Sequence, residues 1–373
     1  MKKTNATHFI LSGHLSLDEC RFVNPPVYRG STVLFKDYDE MHEGKTKHIY
    51  GRWSTPTSDI FCEALAELEQ GLAAIVTCSG LAAITTCILA LVNHDNHIII
   101  NQTCYPSLMR FLNEFKNKIN LEIDIISAQE LACIDNYLKP NTKFVYLDIP
   151  GTFCYEIPDV ALVKKQIGSI PLIVDNTWAT PYFFNPLTLG ADIVIHSTSK
   201  YIAGHSDSIM GSIVFKDENL YDNVLNTSRL LGQYAGADDL AIAYRGLKTL
   251  PVRMNQHYQH ALHAADWLTQ QSQVEAVFYP PLPASHNHAL WQKQFHGGSG
   301  LLCFLLKDDK KVSQLLNQLQ LFRLGFGWGG YESLATSMIV TQGPWQDRQL
   351  IRLNIGLEDK ADIMRDLQTA LSM

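Results

Sequence analysis

The chain has 373 residues, 46% of them hydrophobic and 18% charged, the balance of a globular protein with a sizeable interior. That length asks for one large domain plus a smaller one. A net charge of -7, no basic run and no apolar stretch of membrane-spanning length exclude a nucleic-acid binder and a membrane-spanning protein.

The opening MKKTNATHFILSGHLSLDEC lacks a sustained apolar region and a small-residue cleavage site, so no signal peptide is expected. The eight cysteines form no C-x-x-C pair, and most lie in apolar surroundings, as reduced thiols of a cytoplasmic protein do. Residues 1–50 have poor periodicity and turn formers such as NPPVYRGST, and read as an extended N-terminal arm. A helix follows at SDIFCEALAELEQG, with Gly71 as its stop signal, and another at SGLAAITTCILALVN, opening at Ser79 or Gly80. Strands are expected at 97–101, 121–126, 143–148, 171–175, 191–195 and 212–215, with helices at YPSLMRFLNEFKNK and PDVALVKKQIG between them. Continuous apolar strands separated by helices predict a mostly parallel sheet covered on both faces, in a domain spanning 51–248. From 249 to 373 the pattern changes to a helix starting near Pro251, the strands GLLCFLLK and LIRLNIGL, a helix at KKVSQLLNQLQ and a last helix. These predict a smaller α+β domain. His257, His260 and His263 recur at a spacing of three on the first of these helices, but no known ligand motif accompanies them, so no metal is expected.

Ligands of a doubly wound sheet collect at the carboxyl ends of its strands. Asp148 ends KFVYLD, Asp175 ends PLIVD, and Lys200 follows ADIVI within HSTSKYIAGHSD. A lysine just past a buried strand either reaches back to solvent along its stem or is kept neutral for Schiff-base chemistry. A carboxylate and a lysine on neighbouring strand ends suit a structural ion pair. They also suit pyridoxal phosphate, which needs an amine for its aldehyde and an acid partner for its pyridine nitrogen. For the phosphate, Ser79, Gly80 and Leu81 stand at a helix start, and Ser197 and Ser199 add hydroxyls. The same serine and glycine serve equally well as a helix cap and a tight-packing residue.

The segments DNTWATP, HSTSKYIAGHSD, GWGGYESL and IRLNIGLED, in that order, resemble the motifs of the pyridoxal-phosphate enzymes of cysteine and methionine metabolism. The resemblance extends from NPPVYRGSTVLF to IGLED, nearly the whole chain. Within that family, PGTFCYEIPDV and the tryptophan of GWGGYESL are similar to the β-lyase branch rather than to the γ-acting enzymes. The resemblance implies fold type I, a large aspartate-aminotransferase-like α/β domain with a smaller C-terminal one, and pyridoxal 5'-phosphate as cofactor. It implies that Lys200 carries the cofactor and moves the substrate proton, and that Asp175 pairs with the pyridine nitrogen. Tyr105, in NQTCYPS, would stack on the ring and reach the substrate amine. Tyr50 and Arg52, in YGRWSTPT, would reach the phosphate of a neighbouring subunit, with Tyr50 also facing the substrate. Arg352 would grip the α-carboxylate, and Gly327 and Trp328 would line the substrate. Read alone, Tyr105 suits a core aromatic, the Tyr50 and Arg52 pair a surface, and Arg352 a salt bridge on a strand face.

The implied reaction is α,β-elimination of L-cystathionine to homocysteine, pyruvate and ammonia, a step of transsulfuration and methionine biosynthesis, with side activity on cysteine, cystine or S-alkyl cysteines. A γ-acting lyase or synthase of the family is the alternative, and a non-catalytic regulator the third reading. The implied partners are a sulfur amino acid and further copies of the chain, in a homotetramer built from two dimers with shared sites. Two places depart from the pattern: Trp53 stands where a second basic residue can follow the arginine of Tyr-x-Arg, and Phe326 and Gly327 stand where tyrosine and serine occur in the relatives.

Overall fold

Seven strands form the first sheet of the computed structural model, which describes residues 5–13, 20–44, 46–341 and 343–372. They are β1 (Ala73–Thr77), β2 (His97–Asn101), β3 (Glu122–Ile126), β4 (Thr142–Asp148), β5 (Leu172–Asp175), β6 (Ile193–His196) and β7 (Gly211–Phe215), in the order β1-β7-β6-β5-β4-β2-β3. From β3 to β6 every pairing is parallel, and β7 runs antiparallel to both β6 and β1. Strand alternation sends Ile98, Ile100, Ile173 and Ile195 into one buried cluster and Ile99, Val174 and Val194 into the other. Both faces are therefore dry, which is why the interiors of these strands are continuously apolar, with polar residues only at their ends. β1 had no place among the expected strands. It is five residues long and follows its helix after only Gln70, Gly71 and Leu72, so no turn cluster announces it.

The helix before β1 is Pro56–Glu69. Thr55 caps it and Ser58 returns the bond, with Pro56 in the first turn, where its missing N–H costs nothing. Its stop is Gln70, in the left-handed region at φ 58°, one residue before the expected Gly71. The long helix expected from Pro251 begins instead at Ala237 and runs to Thr269, with Pro251 inside it. The preceding run keeps Leu240, Ala243, Tyr244, Leu247 and Leu250 buried at helical spacing, and this packing outweighs the bond that the proline removes.

The second sheet holds β8 (Val274–Phe278), β9 (Leu301–Leu306), β10 (Arg323–Leu324), β11 (Leu334–Ile339) and β12 (Gln349–Asn354), in the order β10-β11-β12-β9-β8. It is antiparallel except where β10 meets β11, and the helices Val312–Gln318 and Lys360–Leu371 pack with it as a smaller α+β unit. His257 and His260 of the long helix bond the carbonyls of Ile355 (2.8 Å) and Gly356 (3.3 Å), tying that helix to the end of β12. Among the described residues no cluster of His, Cys, Asp and Glu could hold a metal ion, and no helix is long and apolar enough to cross a membrane.

Candidate active site

The parallel register of β4 and β5 sets Asp148 directly beside Asp175. Asp175 is 8% exposed. Its Oδ1 accepts from the Thr177 N–H (2.9 Å) and hydroxyl (2.5 Å), and its Oδ2 from the Tyr146 hydroxyl (3.2 Å). Burial raises the Asp175 carboxyl above the ordinary range, and the bonds from Thr177 pull it back. Burial and the neighbouring Asp175 hold Asp148 well above that range. Asp148 has fewer such donors, chiefly the Thr152 hydroxyl at 2.8 Å, so the negative charge of the pair is better held on Asp175.

After β6 the chain folds into a tight turn. The Lys200 N–H donates to the Ser197 carbonyl (3.0 Å), and the Gly204 N–H donates to the Lys200 carbonyl (2.8 Å). The Lys200 Nζ stands 5.4 Å from the centre of the Trp328 ring, with no hydrogen-bond or ion-pair partner among the described residues. Burial, then the nearby Arg352 guanidinium, push this amine below the ordinary lysine value, toward the neutral form a nucleophile or base requires. Trp328 reaches the amine because the next residue, Gly329, lies on the lysine backbone. A Cβ there would sit 2.8 Å from the Tyr201 nitrogen and 3.0 Å from the Lys200 Cα, and its φ is +84°. Arg352, on β12, donates Nη2 to the Phe326 carbonyl at 2.6 Å.

The helix Gly80–Leu91 starts beside this turn. Ser79 caps it, accepting from the Ala82 N–H at 3.1 Å, which leaves the Gly80 and Leu81 N–H groups of the first turn for an anion. A Cβ on Gly80 would lie 2.7 Å from the Ser197 hydroxyl, so that hydroxyl is seated against the helix start. Ser199 differs: its hydroxyl donates to the Met210 carbonyl and accepts the Met210 N–H, both at 3.0 Å. Tyr105 precedes the helix Pro106–Phe115, 43% exposed, with its backbone N–H toward Asp148. A buried acceptor, a partnerless amine and a helix start walled against a serine hydroxyl are the set that a pyridine, an aldehyde and a phosphate on one ligand need. The residues present therefore fit pyridoxal phosphate.

Tyr50 and Arg52 lie elsewhere on the chain. With Trp53 and Arg229 they line a cleft of about 870 Å³ whose walls include neither Lys200 nor Asp175. The Arg52 Nη1 donates to the Arg229 carbonyl (3.0 Å), and the Arg229 guanidinium stacks 4.8 Å from the Trp53 ring. One chain thus gathers Lys200, Asp175, Ser197, Gly80, Trp328 and Arg352 and leaves Tyr50 and Arg52 apart.

Thr177 and Tyr146, which hold Asp175, were not singled out from the sequence. The first has a signal, an aspartate that accepts from the residue two ahead; the second sits two residues before Asp148, on the same face of β4. Another unforeseen pair is Glu69 with His196, both fully buried and 2.6 Å apart, with the Asn176 amide on the same carboxylate oxygen at 2.9 Å.

The family model for the Cys/Met metabolism PLP-dependent enzymes matches residues 6–372. A protein of Rhizobium johnstonii named putative cystathionine beta-lyase is 35% identical, over 98% of this chain and 94% of its own. The cystathionine beta-lyase of Escherichia coli is 33% identical, over 94% of this chain and 93% of its own. The crystal structure of the cystathionine gamma synthase from Xanthomonas oryzae pv. oryzae, in complex with aminoacrylate and cysteine, superposes with a TM-score of 0.91. It is 28% identical and covers 100% of this chain and 98% of that one.

Proposed function

The chain belongs to the Cys/Met metabolism PLP-dependent enzymes and is a pyridoxal-phosphate-dependent lyase of fold type I, and from that premise we propose that it is a cystathionine β-lyase. The observation that carries the chemistry is the Lys200 amine, buried beside Trp328 and near the Arg352 guanidinium with no hydrogen-bond or ion-pair partner among the described residues. The choice of β over γ rests on the β-lyase relatives at 33% and 35% identity and on the PGTFCYEIPDV segment. The γ-acting reading draws on the likeness to the synthase. The keto acid separates them: cystathionine incubated with the protein should yield pyruvate, and 2-oxobutyrate in its place would establish γ-elimination.

When bound, pyridoxal phosphate supplies an aldehyde that captures the substrate amine and a protonated ring that accepts electron density from Cα. The chain supplies the rest. Asp175, anionic and oriented by Thr177 and Tyr146, holds the proton on the ring nitrogen. Gly80, Leu81 and the Ser197 hydroxyl would hold the phosphate; the Ser199 proton is committed to Met210, so Ser199 braces the turn. Tyr105 would flank the ring and the substrate amine. Arg352 takes the α-carboxylate in a planar fork, with Gly327 and Trp328 beside it. Lys200, as a neutral amine, would take the Cα proton and give it to the departing sulfur.

Tyr50 and Arg52 fit this scheme as groups lent to a second copy, in a tetramer built from two dimers. Phe22, Val23, Leu34 and Tyr38, on the arm that leads into the pair, and Leu230, next to the Arg229 that Arg52 bonds, are all more than 70% exposed, and this supports burial against another subunit. Mixing Lys200→Ala with Arg52→Ala protein should regenerate sites intact in both respects and restore part of the activity. Two inactive variants that stay inactive when mixed and refolded together would remove the shared site. The eight free cysteines support a cytoplasmic place for the protein.

A further inference from the structure

Arg253 is 5% exposed, and among the described residues no carboxylate lies within ion-pair reach of it. Burying an unpaired guanidinium is unfavourable, and burial pulls this one down to about 10. What Arg253 binds is the turn that carries Lys200. Nη1 donates to the Tyr201 carbonyl (2.7 Å), Nη2 to the carbonyls of Ile202 (3.3 Å) and Gly246 (2.8 Å), and Nε to the Thr249 hydroxyl (3.1 Å). The helix backbone closes on the same turn. A Cβ on Gly246 would lie 2.2 Å from the Ile202 carbonyl oxygen and 2.6 Å from that of Ala203. On the turn itself, a Cβ on Gly204 would lie 2.0 Å from the Arg253 Nη1, and that glycine has φ +76°. Two consecutive carbonyls after Lys200 are thus held by one guanidinium, and a side-chain-free helix position leaves room for the second of them and the next.

We propose that Arg253 is a positioning residue for Lys200: its fork fixes the Tyr201 and Ile202 carbonyls, and through them the direction in which the Lys200 amine enters the site. A lysine could carry the same charge. It could not span two adjacent carbonyls and a hydroxyl in one plane, which is the reason for an arginine here. The hydrophobic core alone would hold the long helix in place, since Leu250, Met254 and Ala261 are fully buried around it. The guanidinium therefore acts on the turn more than on the helix.

The inference rests on Lys200 being the lysine that bonds the cofactor aldehyde, and the experiment separates the two. Borohydride treatment of the holoenzyme, followed by peptide mapping, should place the reduced cofactor on Lys200; a label on another lysine overturns the assignment of Lys200 itself. With that label in place, Arg253→Lys holoenzyme should lose about 10- to 100-fold in kcat with KM within about threefold. The absorption maximum of its lysine-linked chromophore should be displaced, and its melting temperature should stay within a few degrees of wild type. Thr249→Val, which removes the acceptor that aligns Nε together with the hydroxyl's own bond to the Gly246 carbonyl, should give the same signature at about two- to fivefold, and serves if Arg253→Lys does not fold. Added guanidinium ion should restore kcat in Arg253→Ala toward that of wild type without changing its melting temperature. A folded Arg253→Lys or Thr249→Val enzyme with wild-type spectrum and kcat, or a loss that follows the melting temperature alone, overturns the proposal.

Discussion

The strand ends of the first sheet and residues 325–331 near the second address the same lysine from different sides, and they are held by different means. On the sheet side, Asp175, Thr177, Thr198 and Ser212 are buried, and each has a short hydrogen bond to a neighbour of the same floor. On the other side Phe326 is 84% exposed and Tyr331 54%, and Arg352 is tethered through a backbone carbonyl. Burial sets proton affinities, because moving a charge in a dry site is costly. An open rim held by few bonds can change residues without disturbing those affinities. The proposed function then assigns chemistry to the floor and choice of substrate to the rim, and on that reading substitutions on the two sides should fail in different ways.

The largest effect should come from the floor. Lys200→Ala should lower pyruvate formation by at least about 10³-fold and abolish the lysine-linked absorption band, while the circular dichroism spectrum and melting temperature stay close to wild type. The lysine side chain makes no hydrogen bond or ion pair among the described residues, and the backbone bonds of the turn survive the substitution. Retained band and turnover would break the division at its root. Asp175→Asn should follow, at about 10²-fold in kcat with KM little changed, because a neutral amide no longer holds the ring-nitrogen proton. Thr177 would still donate to the amide oxygen, and the amide nitrogen would donate to the Tyr146 hydroxyl oxygen, so the fold should survive. A KM effect of that size without one on kcat would move Asp175 from chemistry to binding.

Much of the floor was legible in the sequence because parallel strands buried on both faces announce themselves, and their last residues are then the ligand positions. Asp148, Asp175 and Lys200 follow directly from three strand ends. The groups that hold them were less so. Tyr146 looks like any strand aromatic, and Arg253 sits in the middle of a helix where an arginine normally means solvent. The helix start at Ala237 was hidden because Pro251 reads as a beginning, whereas tertiary packing carries the helix through it. The rim was legible only through family motifs, since an exposed Phe326 or Tyr105 has no periodicity to mark it. The separation of Tyr50 and Arg52 from the rest of the site follows from where the arm lies, which no local pattern encodes.

Arg352 is where rim and floor meet, so its variants sharpen the boundary. Arg352→Lys should raise KM by about 10- to 100-fold, the worth of a charge-assisted fork of about 1.5 to 3 kcal/mol, with a smaller change in kcat. Arg352→Met should add a pH effect. The guanidinium is one of the two causes that depress the Lys200 amine, after burial, and its removal lets that amine rise toward the ordinary lysine value. A base acts only when deprotonated, so a raised pKa moves the acid limb of the kcat profile to higher pH. An unmoved limb would show that burial alone tunes Lys200 and that the rim contributes binding only.

The smallest effect is expected farthest from the floor, at Trp53. A second basic residue at this position would help to hold the distal carboxylate of cystathionine, so its absence should relax selection toward uncharged S-alkyl cysteines. Trp53 is 41% exposed, however, and the Arg229 guanidinium already lies 4.8 Å from its ring. A positive charge therefore stands at this edge of the cleft without residue 53 supplying it. Trp53→Arg would put a third guanidinium beside Arg52 and Arg229, at the cost of the cation–π contact and with like-charge repulsion. The gain in the kcat/KM ratio of cystathionine to S-methylcysteine should then be only about two- to fivefold, with kcat on S-methylcysteine unchanged. Trp53→Phe, which keeps a ring beneath Arg229, should leave the ratio where it is. A rise of a hundredfold in Trp53→Arg would mean that Arg229 does not reach the distal carboxylate and that position 53 alone reads it. A fall in kcat on both substrates would mean that the arm, like the floor, takes part in the chemistry.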